Sequence, residues 1–143
     1  MIQVREAVAK DINEINSVSA HLGYSPSSIN TAENRLNDIL NSESDFLWVC
    51  TEGNTIRGWL HLFVALRLAS PKFLEIGGLV VEESSRRQGI GRELVNEAIR
   101  YSKRSKLSLR VRCNSNRKSA NQFYKDLGFV TNKKQNVHEI HYS

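Results

Sequence analysis

LEIGGLVVEESSRRQGIGRELVNEAIRYSKRS, residues 74–105, reads as a buried strand, a loop rich in arginine and glycine, and a helix. The strand is predicted over residues 75–81 and ends in the apolar run Leu79-Val80-Val81. RRQGIG, residues 86–91, is the loop, and Ile90, Leu94, Val95 and Ile99 then recur near helical spacing. Such a junction points several backbone N–H groups, and the positive end of the helix dipole, at one spot. Gly89 and Gly91 carry no Cβ, so an anion can approach the backbone there. Arg86, Arg87 and Arg92 add charge, and Gln88 and Ile90 complete the turn. Arginine opposes the dipole at a helix N-terminus unless an anion is bound, so the junction is expected to cradle a phosphate.

Two familiar phosphate loops do not fit. A P-loop requires Gly-Lys-Ser or Gly-Lys-Thr, which is absent, and the third glycine of a dinucleotide fingerprint is replaced by Leu94. The order Arg86-x-x-Gly89-x-Gly91 after a strand instead resembles the acetyl-CoA signature of the GNAT superfamily of N-acetyltransferases. ANQFYKDLGF, residues 120–129, resembles the family's second block, Ala-x-x-Phe/Leu-Tyr-x-x-x-Gly-Phe, at the usual distance downstream. VREAVAKDINEI, residues 4–15, resembles its opening strand and first helix, with Arg5, Ala7 and Asp11 in register. The resemblance spans essentially the whole chain.

The remaining sequence is punctuated accordingly. Residues 2–5 read as a short strand, and Asp11 is a fair N-cap for a helix to about Ala20 with Ile12, Ile15, Val18 and Leu22 as its stripe. A second helix is predicted from Asn30, with Glu33 completing a capping box and Leu36, Ile39 and Leu40 giving it a face. Residues 46–51 and 56–66 form two strands around hairpin chemistry at Glu52-Gly53-Asn54. LSLRVRC, residues 107–113, alternates with period two, a helix follows over residues 118–127, and Gly128 suits its left-handed end. Residues 129–132 and 137–142 are predicted to close the fold as a hairpin. The result is a mixed α/β (α+β) chain, and the resemblance implies a single domain over residues 1–143. It also implies a central mixed, mostly antiparallel sheet flanked by about four helices.

Length and composition agree with one globular domain: 143 residues, 40% hydrophobic, with no apolar run near the roughly 20 residues that span a bilayer. The start MIQVREAV has no signal-peptide apolar region, and Cys50 and Cys113 read as free thiols of a reducing compartment, so a cytoplasmic location is expected. No metal site is expected, because CxxC, HExxH and carboxylate–histidine clusters are all absent. Net charge is +5, and eleven Lys or Arg against one acid fall in residues 100–134. Nucleic acid is the generic partner of such a surface, but no helix-turn-helix, zinc-finger or RNP-like motif accompanies it, and coenzyme A is itself a polyanion.

The resemblance implies acetyl transfer from acetyl-CoA, the cosubstrate, to a primary amine by direct attack in a ternary complex. It assigns the diphosphate to residues 86–92, and the pantetheine arm and thioester carbonyl to the backbone of Leu79, Val80 and Val81. Asn116 and Arg117 are expected to give further contacts to the cofactor. Glu75 matches the spacing of the family's base to the loop glycines; many small-amine relatives carry a second glutamate where Gly78 stands. Tyr124 matches the tyrosine that donates to the departing sulfur. The acceptor is expected between residues 22–30 and 66–72, where Tyr24, His61 and Arg67 are at hand. The run over residues 58–81 is similar to bacterial enzymes that acetylate small amines, and the absence of acid from residues 66–72 favours a small, anionic or amino-acid-like acceptor. A peptide amine, or a non-catalytic acetyl-CoA-binding module, are the alternatives. Homodimers occur in the family, but no residue here specifies one, and no membrane partner is expected.

Overall fold

Alternating apolar residues build the sheet of this computed structural model, which describes residues 1–20, 28–86 and 88–142. Strands β1 (Ile2–Glu6), β2 (Asp45–Glu52), β3 (Thr55–Ala65), β4 (Phe73–Val81) and β5 (Leu109–Val111) lie side by side in chain order. The first three pairings are antiparallel and β4–β5 is parallel. Helices α1 (Ile12–Ser19), α2 (Ile29–Leu40), α3 (Ile90–Ser105) and α4 (Lys118–Asp126) complete the described elements. The expected mixed, mostly antiparallel sheet with four helices is therefore the observed architecture. The chain divides into two compact units, Met1–Val111 and Arg112–Ser143.

In the first unit each face of the sheet has its own core. Leu47, Val49 and Val80 point to one face and pack with Ile12, Ile15, Val18 and Leu36 of α1 and α2. Leu60, Leu62, Leu74, Leu94 and Val95 are wholly buried, as suits a strand set covered by the apolar stripe of α3 on the other face. Gly58 sits where that helix comes closest. A Cβ there would stand 2.7 Å from the Val80 carbonyl oxygen and 3.0 Å from Ile90 Cγ2, so only hydrogen fits. The β2–β3 turn uses Gly53 at φ +62°, the left-handed conformation its hairpin chemistry demands.

The helix caps differ in detail from expectation. Asp11 stands at the N-cap position of α1, but its side chain makes no cap bond to that helix; it accepts the Val8 N–H at 2.8 Å, across the 3-10 turn that precedes α1, and its two oxygens hold the Arg5 guanidinium at 2.8 and 2.9 Å. That Arg5 contact holds the Asp11 carboxyl below its usual value, against the opposing effect of burial. Helix α2 begins before Asn30: Ser28 is its N-cap, and its Oγ accepts the Thr31 N–H at 3.2 Å. Leu107, Ser108, Arg112 and Cys113, expected in this strand, are not in the ladder, which pairs only Leu109, Arg110 and Val111 with Leu74, Glu75 and Ile76.

In the second unit α4 ends where Gly128 takes φ +102° and the Phe129 N–H returns to the Tyr124 carbonyl at 3.1 Å. The closing hairpin expected over residues 129–142 is not formed; no described residue there belongs to a strand. Val130, Val137, Ile140 and Tyr142 are exposed, so the two short runs lack the buried face that a hairpin needs to be stable.

Candidate functional site

Strand β4 is paired on both sides only over its first half. Leu74, Glu75 and Ile76 face β3 on one side and β5 on the other. From Gly77 onward β3 remains, but β5 has ended, so among the described residues 77–81 has one strand neighbour. The departure coincides with a break in register: His61 pairs Gly78 and Leu62 pairs Ile76, leaving Gly77 as an inserted residue. Such a bulge bends its strand and re-aims the residues beyond it. Among the described residues, Leu79, Val80 and Val81 therefore pair with β3 alone.

The chain then turns through Glu83–Ser85 and reaches α3 at Gly89. Glu82 is half-buried and takes the Arg57 guanidinium at 2.7 Å. Gly89 is the N-cap of α3 at φ +85°, with nothing within 4 Å of the place a Cβ would occupy. The N–H groups of Ile90, Gly91 and Arg92 lie in the first turn of the helix, ahead of its own ladder, which starts with the Glu93 N–H to the Gly89 carbonyl at 2.9 Å. Ile90 is buried, whereas Arg86, Gln88 and Arg92 are exposed beside it. An open glycine turn, first-turn helical amides and two described guanidinium groups form an arrangement of the kind that suits an anion. Arg87 lies outside the described residues.

The face of the sheet covered by α1 and α2 carries the acceptor candidates. The registers put Asp45, Phe63, Glu75 and Arg110 in one row across four strands, and paired residues share a face. Glu75 is buried. His61, two residues before Phe63, donates from or accepts at Nε2 against Asp45 Oδ2 at 2.7 Å. Ser42 gives its hydroxyl to the other Asp45 oxygen at 2.7 Å. Burial alone would raise the Asp45 carboxyl, but the hydrogen bonds from His61, Ser42 and Ser44 outweigh it and hold it below its usual value. Arg110 and Arg67 stack on one ring, with their guanidinium carbons 4.0 and 5.1 Å from the Phe73 centroid. Asp45 and Arg110 were not visible as site residues in the sequence, since only strand register brings them into this row. Tyr24 lies outside the described residues.

In the second unit Tyr124 is half-buried, edge-on to Phe123 and Phe129 at 5.1 and 5.5 Å. Burial pushes its phenol up to about 12, so it keeps its proton through the neutral range and can act as a donor. Asn116 and Arg117 precede α4 and are exposed, with the Asn116 N–H turned back to Asn114 Oδ1 at 2.9 Å. Among the described residues no group of three His, Cys, Asp or Glu gathers as a metal site, and no helix is long and apolar enough to cross a membrane.

The sequence matches the acetyltransferase (GNAT) family over residues 10–129. None of the curated proteins compared matches it. Among solved structures, a transcriptional regulator from Bacillus halodurans C-125 is 22% identical and superposes with a TM-score of 0.85 over 99% of this chain and 100% of its own. Glucosamine-6-phosphate N-acetyltransferase from Arabidopsis thaliana is 15% identical, with a TM-score of 0.85 over 99% of each chain. An aminoglycoside acetyltransferase from an uncultured soil metagenomic sample, solved with trehalose, is 21% identical, with a TM-score of 0.81 over 99% of this chain and 95% of its own.

Proposed function

The chain belongs to the acetyltransferase (GNAT) family and is an acetyl-CoA-dependent N-acetyltransferase; we propose that its acceptor is the primary amine of a small molecule, acetylated by direct attack in a ternary complex. The observation that carries the donor half is the loss of β4's second partner at Gly77, directly ahead of the open glycine turn at α3. In this reading the backbone of Leu79, Val80 and Val81 pairs with the pantetheine arm, and one N–H polarises the thioester oxygen as an oxyanion-hole donor. Arg86, Arg87, Gln88, Gly89, Ile90, Gly91 and Arg92 hold the diphosphate, with Asn116 and Arg117 as further contacts. Tyr124 donates its proton to the departing sulfur.

The acceptor half rests on the row across the sheet. Glu75 supplies a carboxyl group to the ammonium, and His61 and Arg67 line the same side. The two guanidinium groups on Phe73 favour an acceptor that carries an anionic group as well as its amine. Gly78, which stands in place of the second glutamate of small-amine relatives, leaves no room for a side chain: a Cβ there would stand 2.9 Å from Trp59 Cζ3. The test is acetyl-CoA consumption against amino acids, aminophosphonates, amino sugars, aminoglycosides and peptides. Turnover of small amines bearing a carboxylate or phosphonate is the expected result. Turnover confined to peptides or to polycationic aminoglycosides would overturn the acceptor assignment.

A further inference from the structure

Deprotonating an alkylammonium, whose pKa is about 10, is the step the donor half of the site does not perform. Two groups on the acceptor face can take the proton, and their surroundings differ. Glu75 is buried in the part of β4 that still has a strand on each side, opposite Phe63 and Arg110. His61 is at the notch itself. Its Nδ1 lies 2.9 Å from where a Cβ on Gly77 would stand, beside the residue at which β5 departs. Its side chain is 21% exposed.

Asp45 decides which nitrogen is available. A carboxylate only accepts hydrogen bonds, so His61 Nε2 must be the N–H that meets Asp45 Oδ2 at 2.7 Å. That leaves the lone pair of the neutral ring on Nδ1, pointing at the bulge. Ser42 and Ser44 fix the carboxyl in turn through its other oxygen, at 2.7 and 3.3 Å. Three charged groups stand on the neighbouring elements. Glu75 and Arg110 stand in the next row, and Glu14 on the packed helix α1 is engaged by the Ile56 N–H at 2.9 Å.

We propose that Asp45 and His61 form a carboxylate–imidazole pair whose Nδ1 takes the proton from the acceptor ammonium, with Glu75 left to hold its positive charge. The proposal rests on the acetyltransferase reading. His61 accepts one proton, and the freed nitrogen pair forms the C–N bond to the thioester carbon. The C–S bond breaks, the leaving sulfur takes the Tyr124 proton, the second amine proton restores the phenol, and the imidazolium returns its proton to water. Asp45 is a positioning residue in this scheme, since it acts through the ring.

Two measurements test it. The first needs no acceptor: nitrogen-15 NMR of the histidine-labelled chain should show His61 with a protonated Nε2 and an imine-like Nδ1. The opposite tautomer overturns the proposal whatever the activity. The second uses the amine turned over fastest in the acetyl-CoA screen. His61→Gln should lower kcat/KM by about 10²–10⁴ near neutral pH, and the deficit should shrink as pH approaches the acceptor's own pKa, where free amine is already present. Asp45→Asn should move the pH profile in the same direction, a response that a packing role would not produce, and Glu75→Gln should act mainly on KM. Gly77→Ala keeps the histidine but puts a methyl group against Nδ1, and should also lose rate. A His61→Gln variant that melts like the parent and stays within about threefold of its kcat/KM, while Glu75→Gln abolishes the pH dependence, returns the base to Glu75 and overturns the proposal. A parent chain that binds no acetyl-CoA overturns the transferase reading itself.

Discussion

Replacing Gly89 with alanine should separate the cost of backbone strain from the cost of losing a ligand contact, provided Gly53→Ala is measured beside it. Both glycines have positive φ, +85° and +62°, and both have nothing within 4 Å of an added Cβ. Neither substitution creates a clash, so the penalty on folding is that of an L-residue held in a left-handed conformation, about 1–2 kcal/mol in each case. For a chain of this size that lowers Tm by about 3–8 °C, and the two variants should melt close together. Their affinities for acetyl-CoA should not match. At Gly89 the methyl group should enter the space proposed for the diphosphate and displace it from a charge-assisted hydrogen bond, at about 1.5–3 kcal/mol. That is roughly a 10- to 150-fold weaker Kd. Gly53, in the β2–β3 turn, should leave Kd unchanged. Calorimetric titration with acetyl-CoA reads the difference directly. Equal affinity in the two variants would refute the assignment of the α3 turn to the diphosphate.

Tyr124→Phe removes the proton donor without removing the ring, so kcat should fall by about 10- to 150-fold while the acetyl-CoA Kd holds; an unchanged kcat would leave Tyr124 as packing between Phe123 and Phe129. Because its phenol is raised in the folded chain to about 12, its contribution to stability is whole below the unfolded value of about 10 and is lost as pH rises toward 12; Tyr124→Phe should flatten that part of the alkaline denaturation curve. Ser28→Ala should cost about 1 kcal/mol through the lost α2 cap, whereas Asn30→Ala, within the first turn, should cost much less by thermal melting. Burial pushes the Cys50 thiol up to about 11, so at mildly alkaline pH iodoacetamide should label Cys113 well before Cys50, and denaturant should erase the difference.

The strand–turn–helix of the proposed donor side was legible in the sequence because its signals are local. Gly89 and Gly91 announce a tight turn, Ile90, Leu94 and Val95 announce the helix behind it, and no distant residue is needed to connect them. The acceptor side was not. Asp45 and His61 are sixteen positions apart and meet only through the β2–β3 register, and Arg110 joins Glu75 only through the parallel β5 pairing. The cap of α2 was misplaced by two residues because Ser28 and Asn30 are both good caps, and the choice depends on where Ile29 is taken up. Residues 129–142 show how short apolar stretches mislead: Val137 and Ile140 read as strand residues, yet they lie exposed, without the buried face a hairpin needs.

The half-open edge of β4 has a consequence for handling the protein. Among the described residues its second half has a strand on one side only, and such an edge can accept an extended chain of suitable register, including that of a neighbouring molecule. The thioester donor is proposed to lie along the same edge, so it would compete with self-association while contributing to folding stability. At a hundredfold excess over its Kd, that contribution is about 2.7 kcal/mol. Material concentrated without the donor should be the more prone to precipitate, and restoring it should recover solubility before any acceptor is added.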